Sequence, residues 1–414
     1  MNIWIFNHYA QGPEIPGGTR HYDLAKALIK KGHSITIFAA GFHYTLIKET
    51  VDYRGKDFLI DEKDGARFVW VKTYPYQVNN WKRMLNILSY AWRLNFLIPR
   101  LGLEKPDVII GSTVHPFAPL IAARFAQKYN RPFVFEIRDL WPQTFIDMGL
   151  WKKESLIAKL FKALEGISVR KANAVITLSP MTKEYLDKEY SYKNPVYIPN
   201  SVDLDTFMER KSSDYAGGVK TIDQVLNLKD QGKFIVIYTG AIVQTNNINI
   251  ILEAAEKISD TSIQVVLIGE GQEKKKFKEI AQEKQLDNVV FYEPVQKRDL
   301  PYLLGLADIL LLVQGKVNWG SSNKLYDYLA AKKPILASLE ANHNNIVEEI
   351  DCGFSCVGAE DMAKKIISLK TMDQAQRDKK GENAFDYVAK NHDIKHMASM
   401  LESLCYKLTK VEDA

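Results

Sequence analysis

Residues 233–242 read KFIVIYTGAI, an apolar run of β-branched and aromatic residues that ends near a glycine. A run of this kind is typical of a strand that is buried on both faces. The same pattern returns later in the chain, separated by segments with helical spacing, at 263–271, 288–294, 307–314 and 333–338. Apolar strands that alternate with helices predict a parallel sheet that is covered on both faces.

The N-terminal half has the same organisation. Its strand-like segments are 2–8, 34–40, 106–112, 132–139, 173–179 and 195–201, and its clearest helical segments are 19–32 and 116–130. The polar stretch 208–231, which contains paired glycines, interrupts the series. We therefore predict an α/β protein with two doubly wound Rossmann-like domains that face each other across a cleft. The predicted limits are 1–207 for the N-terminal domain, 208–231 for a linker, 232–390 for the second domain and 391–414 for a C-terminal helix that packs back toward the N-terminal domain.

The composition argues against several classes of protein. The 414 residues carry 55 basic and 50 acidic side chains, and a formal net charge of +5 does not favour a nucleic-acid partner. Three cysteines without CxxC spacing argue against a disulfide framework or a zinc site. The chain starts without the basic and apolar regions of a signal peptide, and no apolar run reaches the ~18 residues of a membrane span. We therefore expect a cytoplasmic protein with reduced thiols.

Glycines follow several predicted strands, at the edge of the sheet where ligands of such folds bind. Gly17 and Gly18 precede the first helix, Gly240 ends the opening strand, and Gly269 and Gly271 end the next one. Ordinary tight turns would explain each glycine separately, whereas the group favours a rim that binds an anion through backbone N–H groups. The GxGxxG fingerprint of dinucleotide-binding proteins is absent, which argues against a dehydrogenase.

The stretch 319–336, WGSSNKLYDYLAAKKPIL, places Lys324 at the start of a predicted helix. This end of a helix favours negative charge, so a lysine there is unfavourable unless an anion lies between the ammonium and the helix. We therefore expect a diphosphate at this position, bound by backbone N–H groups and by Lys324. The alternative is that the Lys324 side chain extends into solvent.

Motifs along nearly the whole chain resemble those of one enzyme family. They are GGTRHYDLAKALIKKGHSITI (17–37), ALEGISVRKANAVITLSPMTKEYL (163–186), VYIPNSVDLDTF (196–207), YTGAI (238–242), LIGEG (267–271), LADILLL (306–312) and SSNKLYDYLAAKKPILAS (321–338). In this order they resemble the retaining glycosyltransferases of family 4, which have the two-domain B-type fold. EIRDLWP (136–142) and SSNKLYDYLAA resemble the WbuB-like subgroup of bacterial surface-polysaccharide transferases.

The resemblance implies a hexosyltransferase that uses a UDP-sugar, bound mainly by the second domain. It implies transfer of an N-acetylated or deoxy sugar, with retention at the anomeric carbon, to a lipid-linked saccharide in O-antigen or capsule synthesis. It also implies that no metal or cofactor is needed, because helix dipoles and basic side chains stabilise the departing diphosphate.

The resemblance also directs attention to particular residues. The candidate catalytic residues are Arg138, Asp139, His115, Glu136 and Lys324. The candidate donor-binding residues are Gly17, Gly18, Gly240, Gly269, Glu270, Ser321, Ser322, Asn323, Lys324 and Asp327. Arg138 could assist Lys324 from the other domain, and Asp327 could hold a ribose hydroxyl.

The chain departs from the family pattern at several of these positions. Trp319 replaces the first of two family glutamates, and the loop 241–247 lacks the usual arginine and lysine, which places more of the charge on Lys324. Which of Arg138, Asp139 and His115 replaces the family's catalytic histidine stays open. Glu136 is either a base for the acceptor hydroxyl or a buried partner of Arg138.

Two amphipathic segments, 79–102 and 151–166, combine aromatic and basic residues. Such segments suit the surface of an anionic bilayer, and they predict attachment to the inner face of the cytoplasmic membrane. The alternative is that their apolar stripes belong to the core of the N-terminal domain.

Two other functions are compatible with a two-domain fold of this kind. One is a UDP-sugar 2-epimerase, which would need acidic residues around the sugar and no acceptor site. The other is a two-lobed binding protein without catalytic activity, a class that is mostly exported.

Overall fold

The computed structural model of the protein describes residues 1–15, 17–78, 80–210, 214–243, 246–314, 322–339 and 346–410. Its two large sheets and their helices confirm the predicted two-domain α/β architecture. Each sheet lies between two helical layers, and each domain has its own apolar core on both faces of its sheet.

The first domain contains an eight-stranded sheet in the order β10-β9-β8-β7-β1-β2-β6-β5 and a separate small hairpin of β3 and β4. The strands are β1 (Asn2–Phe6), β2 (Ser34–Ala40), β3 (Phe42–His43), β4 (Lys48–Glu49), β5 (Phe58–Lys63), β6 (Ala66–Val71), β7 (Val108–Ser112), β8 (Phe133–Ile137), β9 (Ala174–Thr177) and β10 (Val196–Tyr197). All neighbours in the large sheet pair in parallel except β5 and β6.

Seven helices accompany this sheet or lead away from it. They are α1 (Arg20–Ile29), α2 (Trp81–Leu97), α3 (Phe117–Tyr129), α4 (Gln143–Asp147), α5 (Leu156–Lys171), α6 (Thr182–Tyr190) and α7 (Leu204–Glu209). The antiparallel β5–β6 hairpin was not predicted, because its first strand, FLIDEK, has only partly buried or exposed residues and lacks a continuous apolar run.

The second domain contains a six-stranded parallel sheet in the order β13-β12-β11-β14-β15-β16. The strands are β11 (Phe234–Thr239), β12 (Ile263–Ile268), β13 (Val289–Tyr292), β14 (Ile309–Gln314), β15 (Ile335–Leu339) and β16 (Gly353–Ser355). The helices that follow α7 are α8 (Lys220–Asp230), α9 (Asn249–Glu256), α10 (Lys274–Glu283), α11 (Leu300–Gly305), α12 (Asn323–Ala330), α13 (Ile346–Glu349), α14 (Gly358–Thr371), α15 (Gln374–Asn391) and α16 (Ile394–Lys410).

Helix α8 corrects the prediction of a linker over 208–231. Ile222 and Val225 lie one turn apart on this helix and are fully buried in the core of the second domain. The polar residues that suggested a linker lie on the other side of the helix, because a surface helix buries only one stripe.

The last helix, α16, packs against α1 of the first domain. Met397 and Leu401 are buried there in the same apolar cluster as Leu24 and Leu28. The chain therefore crosses from the second domain to the first after α15.

Helices α2 and α5 flank α3 on one face of the first sheet, and each helix has both buried and exposed apolar residues, so only part of its apolar stripe belongs to the core. Ile87, Tyr90 and Leu94 are buried in the core, whereas Trp81 and Trp92 are 67% and 65% exposed. The exposed apolar residues of α5 are Leu156, Ile157 and Leu160. In the parts of the chain that the structure describes, no helix has the length and apolar character to cross a bilayer.

Candidate functional site

A cleft of about 480 Å³ lies between the carboxyl ends of the two sheets. It is lined by most of the candidate residues, namely Gly17, Gly18, Arg138, Asp139, Gly240, Gly269, Glu270, Ser322, Asn323, Lys324 and Asp327. His115 and Glu136 are not among its lining residues. Ser321 and Trp319 lie outside the described residues.

Lys324 turns into the protein instead of extending into solvent. Its Nζ atom donates a hydrogen bond to the Tyr238 hydroxyl at 3.0 Å and lies 4.3 Å from the centre of the Tyr238 ring. Burial lowers the pKa of Lys324 to about 7, because removal from water disfavours the charged form. The alternative of a solvent-exposed lysine is therefore wrong, and Lys324 can gain its full charge when an anion enters the cleft.

The glycines on the second domain's side of the cleft allow the backbone and Lys324 to approach closely. A Cβ atom on Gly240 would lie 3.3 Å from Lys324 Nζ, and a Cβ atom on Gly269 would lie 1.9 Å from the carbonyl oxygen of Gly240. Only glycine fits where β11 and β12 end, since any side chain on Gly269 would push the two loops apart.

We expect Gly269→Ala to lower the free energy of unfolding by about 2–5 kcal/mol, through this clash and the positive φ of 158°. Denaturant unfolding measures the change. Gly32→Ala is the matched control, because Gly32 also has a positive φ, of 87°, but has no atom within 4 Å of the added Cβ. Equal losses in the two variants would contradict the close approach of the two loops.

Gly18 brings the two domains together in the middle of the cleft. A Cβ atom on Gly18 would lie 3.2 Å from Asn323 Nδ2 of the second domain and 3.6 Å from Arg138 Nη2 of the first. Arg138 therefore reaches the start of α12, where Lys324 lies one residue further along. The structure brings these predicted residues together although they come from both domains.

Asp327 has a partner that the sequence did not suggest. Lys297, in the short turn Lys297–Asp299 after β13, donates to Asp327 Oδ1 at 2.5 Å. Burial lowers the pKa of Lys297, but Asp327 and Asp23 raise it by more than burial lowers it. The net pKa is therefore above the usual value, and Lys297 stays charged. Asp23 lies on α1 of the first domain, and burial raises its pKa to about 6 although Lys297 opposes this. Lys297 therefore lies between carboxylates of both domains.

Glu136 is neither a free base nor the partner of Arg138. Its Oε2 atom accepts from Arg20 Nε at 3.2 Å and Nη2 at 3.0 Å, and its Oε1 atom accepts from His21 Nε2 and from Ser112 Oγ, each at 2.8 Å. Burial raises the pKa of Glu136, but Arg20 and His21 hold it well below its usual value. With four donors on a carboxylate that is 2% exposed, Glu136 is suited to fixing α1 against the sheet.

His115 is fully buried and does not line the cleft. Its Nδ1 atom accepts from the Ala118 N–H at 3.4 Å, and its Nε2 atom lies 2.7 Å from His8 Nδ1. Burial lowers the pKa of His115 to about 3, so the ring is neutral at physiological pH. This position does not suit the replacement of a catalytic histidine.

Asp139 is the candidate carboxylate that faces the cleft from the first domain. The backbone N–H groups of Arg138 and Asp139 both donate to Thr113 Oγ1, at 2.8 Å and 3.3 Å, which fixes the loop after β8. Burial raises the pKa of Asp139, while Arg138 and Arg83 lower it, and the net direction is upward. A carboxylate with this environment can accept a hydrogen bond from a hydroxyl group in the cleft.

Sequence reasoning missed three basic residues of this region. Lys297 lies in the loop that follows the predicted strand 288–294, and this position was the only sequence feature that pointed to it. Arg20 lies in the first turn of α1, where nothing local indicates a partner at Glu136. Arg83 belongs to the segment predicted to meet a membrane, yet it lines the cleft and its Nε atom donates to the Tyr9 hydroxyl at 3.5 Å.

The described residues contain no group of three or more His, Cys, Asp or Glu side chains that could hold a metal ion. The sequence Asp203-Leu204-Asp205 has the spacing of the DxD motif of metal-dependent transferases, but both aspartates lie outside the cleft and pair with Lys26 at 3.1 Å and with Lys395 at 2.7 Å. Independence from metal stays a prediction.

Comparisons with known proteins agree with this architecture. The model of Glycosyltransferase Family 4 matches residues 17–206, and that of Glycosyl transferases group 1 matches residues 219–387. WcaI of Escherichia coli (strain K12), which its name assigns to glycosyl transfer in colanic acid biosynthesis, is 27% identical over 338 residues, 80% of this chain and 81% of WcaI.

Two solved structures share the fold over nearly the whole chain. Sucrose-phosphate synthase from Thermosynechococcus elongatus has a TM-score of 0.77 at 17% identity and covers 99% of both chains. HepE of Anabaena, in complex with UDP and glucose, has a TM-score of 0.68 at 15% identity and covers 99% of this chain and 100% of HepE.

Two facing Rossmann-like domains with a shared cleft form the B-type fold. The chain belongs to glycosyltransferase family 4, as the resemblance indicated. Membership of the WbuB-like subgroup stays a prediction, because the family models do not distinguish subgroups.

Proposed function

We propose that the protein transfers a sugar, N-acetylated or deoxy, from a UDP-sugar to a lipid-linked saccharide in bacterial surface-polysaccharide synthesis, O-antigen or capsule. The observation that carries the proposal is the partly buried Lys324, which lies beside Gly240 at the start of α12, with Arg138 beside Gly18 of the first domain. The similarity to WcaI supports a polysaccharide, and the UDP bound to HepE supports the nucleotide.

In the proposed reaction, the bond between the anomeric carbon and the diphosphate oxygen breaks, and its electron pair passes to the diphosphate. Lys324 and Arg138 stabilise the charge that develops there. The acceptor hydroxyl bonds to the anomeric carbon on the face that the diphosphate leaves, and its proton passes to a diphosphate oxygen. The configuration at the anomeric carbon is thereby retained, no metal or cofactor takes part, and Asp139 orients the hydroxyl through a hydrogen bond.

The test is incubation with a panel of UDP-sugars, first alone and then with lipid-linked saccharides, followed by NMR of the products. Without an acceptor, we expect slow release of UDP. With an acceptor, we expect a glycosidic linkage whose anomeric configuration, α or β, is that of the donor sugar. A UDP-sugar 2-epimerase would instead produce the C2 epimer, and a binding protein would produce nothing. Inversion at the anomeric carbon would contradict the proposed stereochemistry.

The lowered pKa of Lys324 leads to a prediction about pH. At pH 8 a lysine with a pKa of about 7 is mostly neutral, and a bound diphosphate favours its charged form, so binding of UDP should take up about 0.9 proton. The affinity for UDP should accordingly fall as the pH rises above 7. Calorimetry at pH 8 in two buffers with different ionisation enthalpies measures the uptake.

Lys324→Arg is the control for this measurement, because a guanidinium stays charged throughout this pH range. It should bind UDP without taking up a proton. Equal uptake in Lys324→Arg and in the unmodified protein would assign the proton to another group.

The outer sides of α2, α3 and α5 support a cytoplasmic protein attached to the inner face of the membrane. Trp81, Trp92, Phe96 and Leu156 are exposed apolar residues, which often mark an interaction surface. The exposed basic residues of these helices and the segments beside them include Lys82, Arg100, Arg124, Lys128, Lys152, Lys153 and Lys159. Apolar and basic residues on one face suit an anionic bilayer.

We expect the protein to float with vesicles that contain anionic phospholipid at low salt. The combined variant Trp92→Ser and Leu156→Ser should lose at least about tenfold in membrane affinity, because both side chains are mostly exposed and would be buried in the bilayer. Val357→Ser, which removes an apolar side chain that is 88% exposed on the second domain, is the control. Unchanged flotation of the combined variant would contradict this surface.

A further inference from the structure

On the first domain's side, the cleft extends beyond Gly17 and Gly18 to a group of residues for which the proposed donor gives no binding role. Tyr9, Gln11, Tyr44 and Arg83 all line the cleft on this side. They come from the loop after β1, from the β3–β4 hairpin and from the first turn of α2. We refer to these four residues as the distal wall.

Gln11 offers a buried hydrogen-bond acceptor to the cleft. The residue is 3% exposed, and its Oε1 atom is buried without a hydrogen-bond partner. A Cβ atom on Gly17 would lie 3.3 Å from Gln11 Cγ, which places Gln11 beside the glycine loop. A buried amide oxygen without a partner destabilises a protein, so its presence in a cleft points to a ligand that donates a hydrogen bond to it.

The two tyrosines of the distal wall form an aromatic surface. Their rings are stacked at 4.7 Å with an angle of 28°, and Tyr44 is 43% exposed while Tyr9 is buried beneath it. An aromatic ring with a free face binds the C–H side of a sugar ring, while neighbouring polar groups bind its hydroxyls. The Gln11 amide oxygen is such a polar group.

Arg83 adds a positive charge at the far end of this wall. Its guanidinium carbon lies 5.9 Å from the centre of the Tyr9 ring, and its charge lowers the pKa of Asp139, His8 and His115. Arg138 lies beside Gly18 and Lys324 lies beside Gly240, and we treat these two residues as a separate cationic group. A UDP-sugar carries its charge in one diphosphate, so it accounts for only one of these two groups.

We propose that the distal wall is the acceptor subsite and that it takes a sugar with a phosphate on its anomeric carbon, bound by Arg83. The proposal rests on the proposed function and identifies the chemical class of its acceptor. Tyr44 stacks on the sugar, Gln11 accepts from one of its hydroxyls, and Asp139 faces the hydroxyl that reacts. The proposal places one sugar unit between the phosphate and the reacting hydroxyl, since Arg83 and Asp139 line the same cleft.

The position of Arg83 also agrees with an acceptor that arrives from a membrane. Trp81, two residues earlier on α2, is 67% exposed on the surface that we propose to meet the bilayer. The anomeric phosphate of a lipid-linked sugar would lie between the lipid and the sugar. Arg83 therefore occupies the place where such a phosphate would enter the cleft.

The experiment titrates the UDP-saturated protein with the 1-phosphates of glucose, galactose, N-acetylglucosamine and N-acetylgalactosamine, and with the four matching methyl glycosides. With UDP in the donor site, we expect at least one 1-phosphate to bind about tenfold or more tightly than its methyl glycoside, as a charge-assisted hydrogen bond predicts. In Arg83→Met this preference should fall to within about twofold. Arg93→Met, which removes an arginine of the same helix that pairs with Asp57 at 2.7 Å, should keep it.

A second variant separates ligand binding from a structural role. Gln11→Leu should weaken binding of the 1-phosphate and the methyl glycoside equally, by about three- to tenfold, and should raise the thermal stability because the buried oxygen is gone. Unchanged sugar binding in Gln11→Leu, or a preference for phosphate that survives in Arg83→Met, would overturn the subsite.

Two further outcomes identify which assignment fails. Absence of any preference for phosphate, or tighter binding of methyl glucuronoside than of every 1-phosphate, would refute the phosphate-bearing acceptor. If UDP does not bind in the saturation step, the proposed donor is contradicted. The same titration of the protein without nucleotide then still tests the acceptor subsite.

Discussion

Lys324→Ala is expected to reduce turnover by about 10²–10³-fold, the usual cost of removing one group that stabilises charge in the transition state. Two features of the structure make Lys324 the most sensitive position. Its ammonium packs against Tyr238 beside Gly240, and Arg138 lines the same cleft from the first domain. UDP released from the most rapidly hydrolysed UDP-sugar measures the change.

The fold should survive this substitution. The Tyr238 hydroxyl keeps its own hydrogen bond to the carbonyl oxygen of Ala241 at 3.0 Å, so no buried group loses its only partner. The control is Lys275→Ala, which removes a lysine whose side chain is 90% exposed on α10 of the same domain. Near-normal turnover of Lys324→Ala, with both variants folded, would show that the diphosphate does not bind at this helix.

The second large effect concerns stability. We expect Arg20→Met to lower the free energy of unfolding by about 3–5 kcal/mol, because it leaves the Glu136 carboxylate buried without its main positive partner. The same guanidinium donates to the carbonyl oxygens of Pro199 at 2.5 Å and Ile198 at 2.8 Å. One side chain therefore connects α1, the end of β8 and the segment that leads to the second domain.

Two comparisons test the reason for this loss. The double variant Arg20→Met with Glu136→Gln should recover part of it, because the uncompensated charge is gone. Lys26→Met, which breaks a partly exposed ion pair of the same helix with Asp203, should cost less than about 1 kcal/mol. A full loss of turnover in Glu136→Gln without any loss of stability would restore Glu136 as a catalytic residue.

Much of the fold could be predicted because its signals are local. Strands such as β11 and β12 are buried on both faces and appear in the sequence as continuous apolar runs. Helix α8 and the β5–β6 hairpin were missed for the opposite reason. Helix α8 buries only one side and β5 has only partly buried or exposed residues, so the polar residues of both elements conceal the period of the apolar ones.

The candidate site was predicted less completely. Gly240, Gly269 and Lys324 follow from their places at the ends of strands and at the start of a helix, which are features of the chain itself. The roles considered for Glu136 and His115 depended on their neighbours, and the structure gives these residues buried partners in Arg20 and His8.

The sequence by itself determined two mainly parallel sheets, a cleft at their carboxyl ends and a rim of glycines with a lysine at a helix start. These features follow from the alternation of apolar strands and helices and from the small residues that end the strands. Only the tertiary structure decided that Lys324 turns inward onto Tyr238, that Lys297 binds Asp327 and that Arg83 faces the cleft instead of a membrane. The physical reason is that the partner of a side chain is set by the packing of elements that are far apart in the chain. Arg20 and Glu136 are 116 positions apart, and no local sequence pattern encodes their contact.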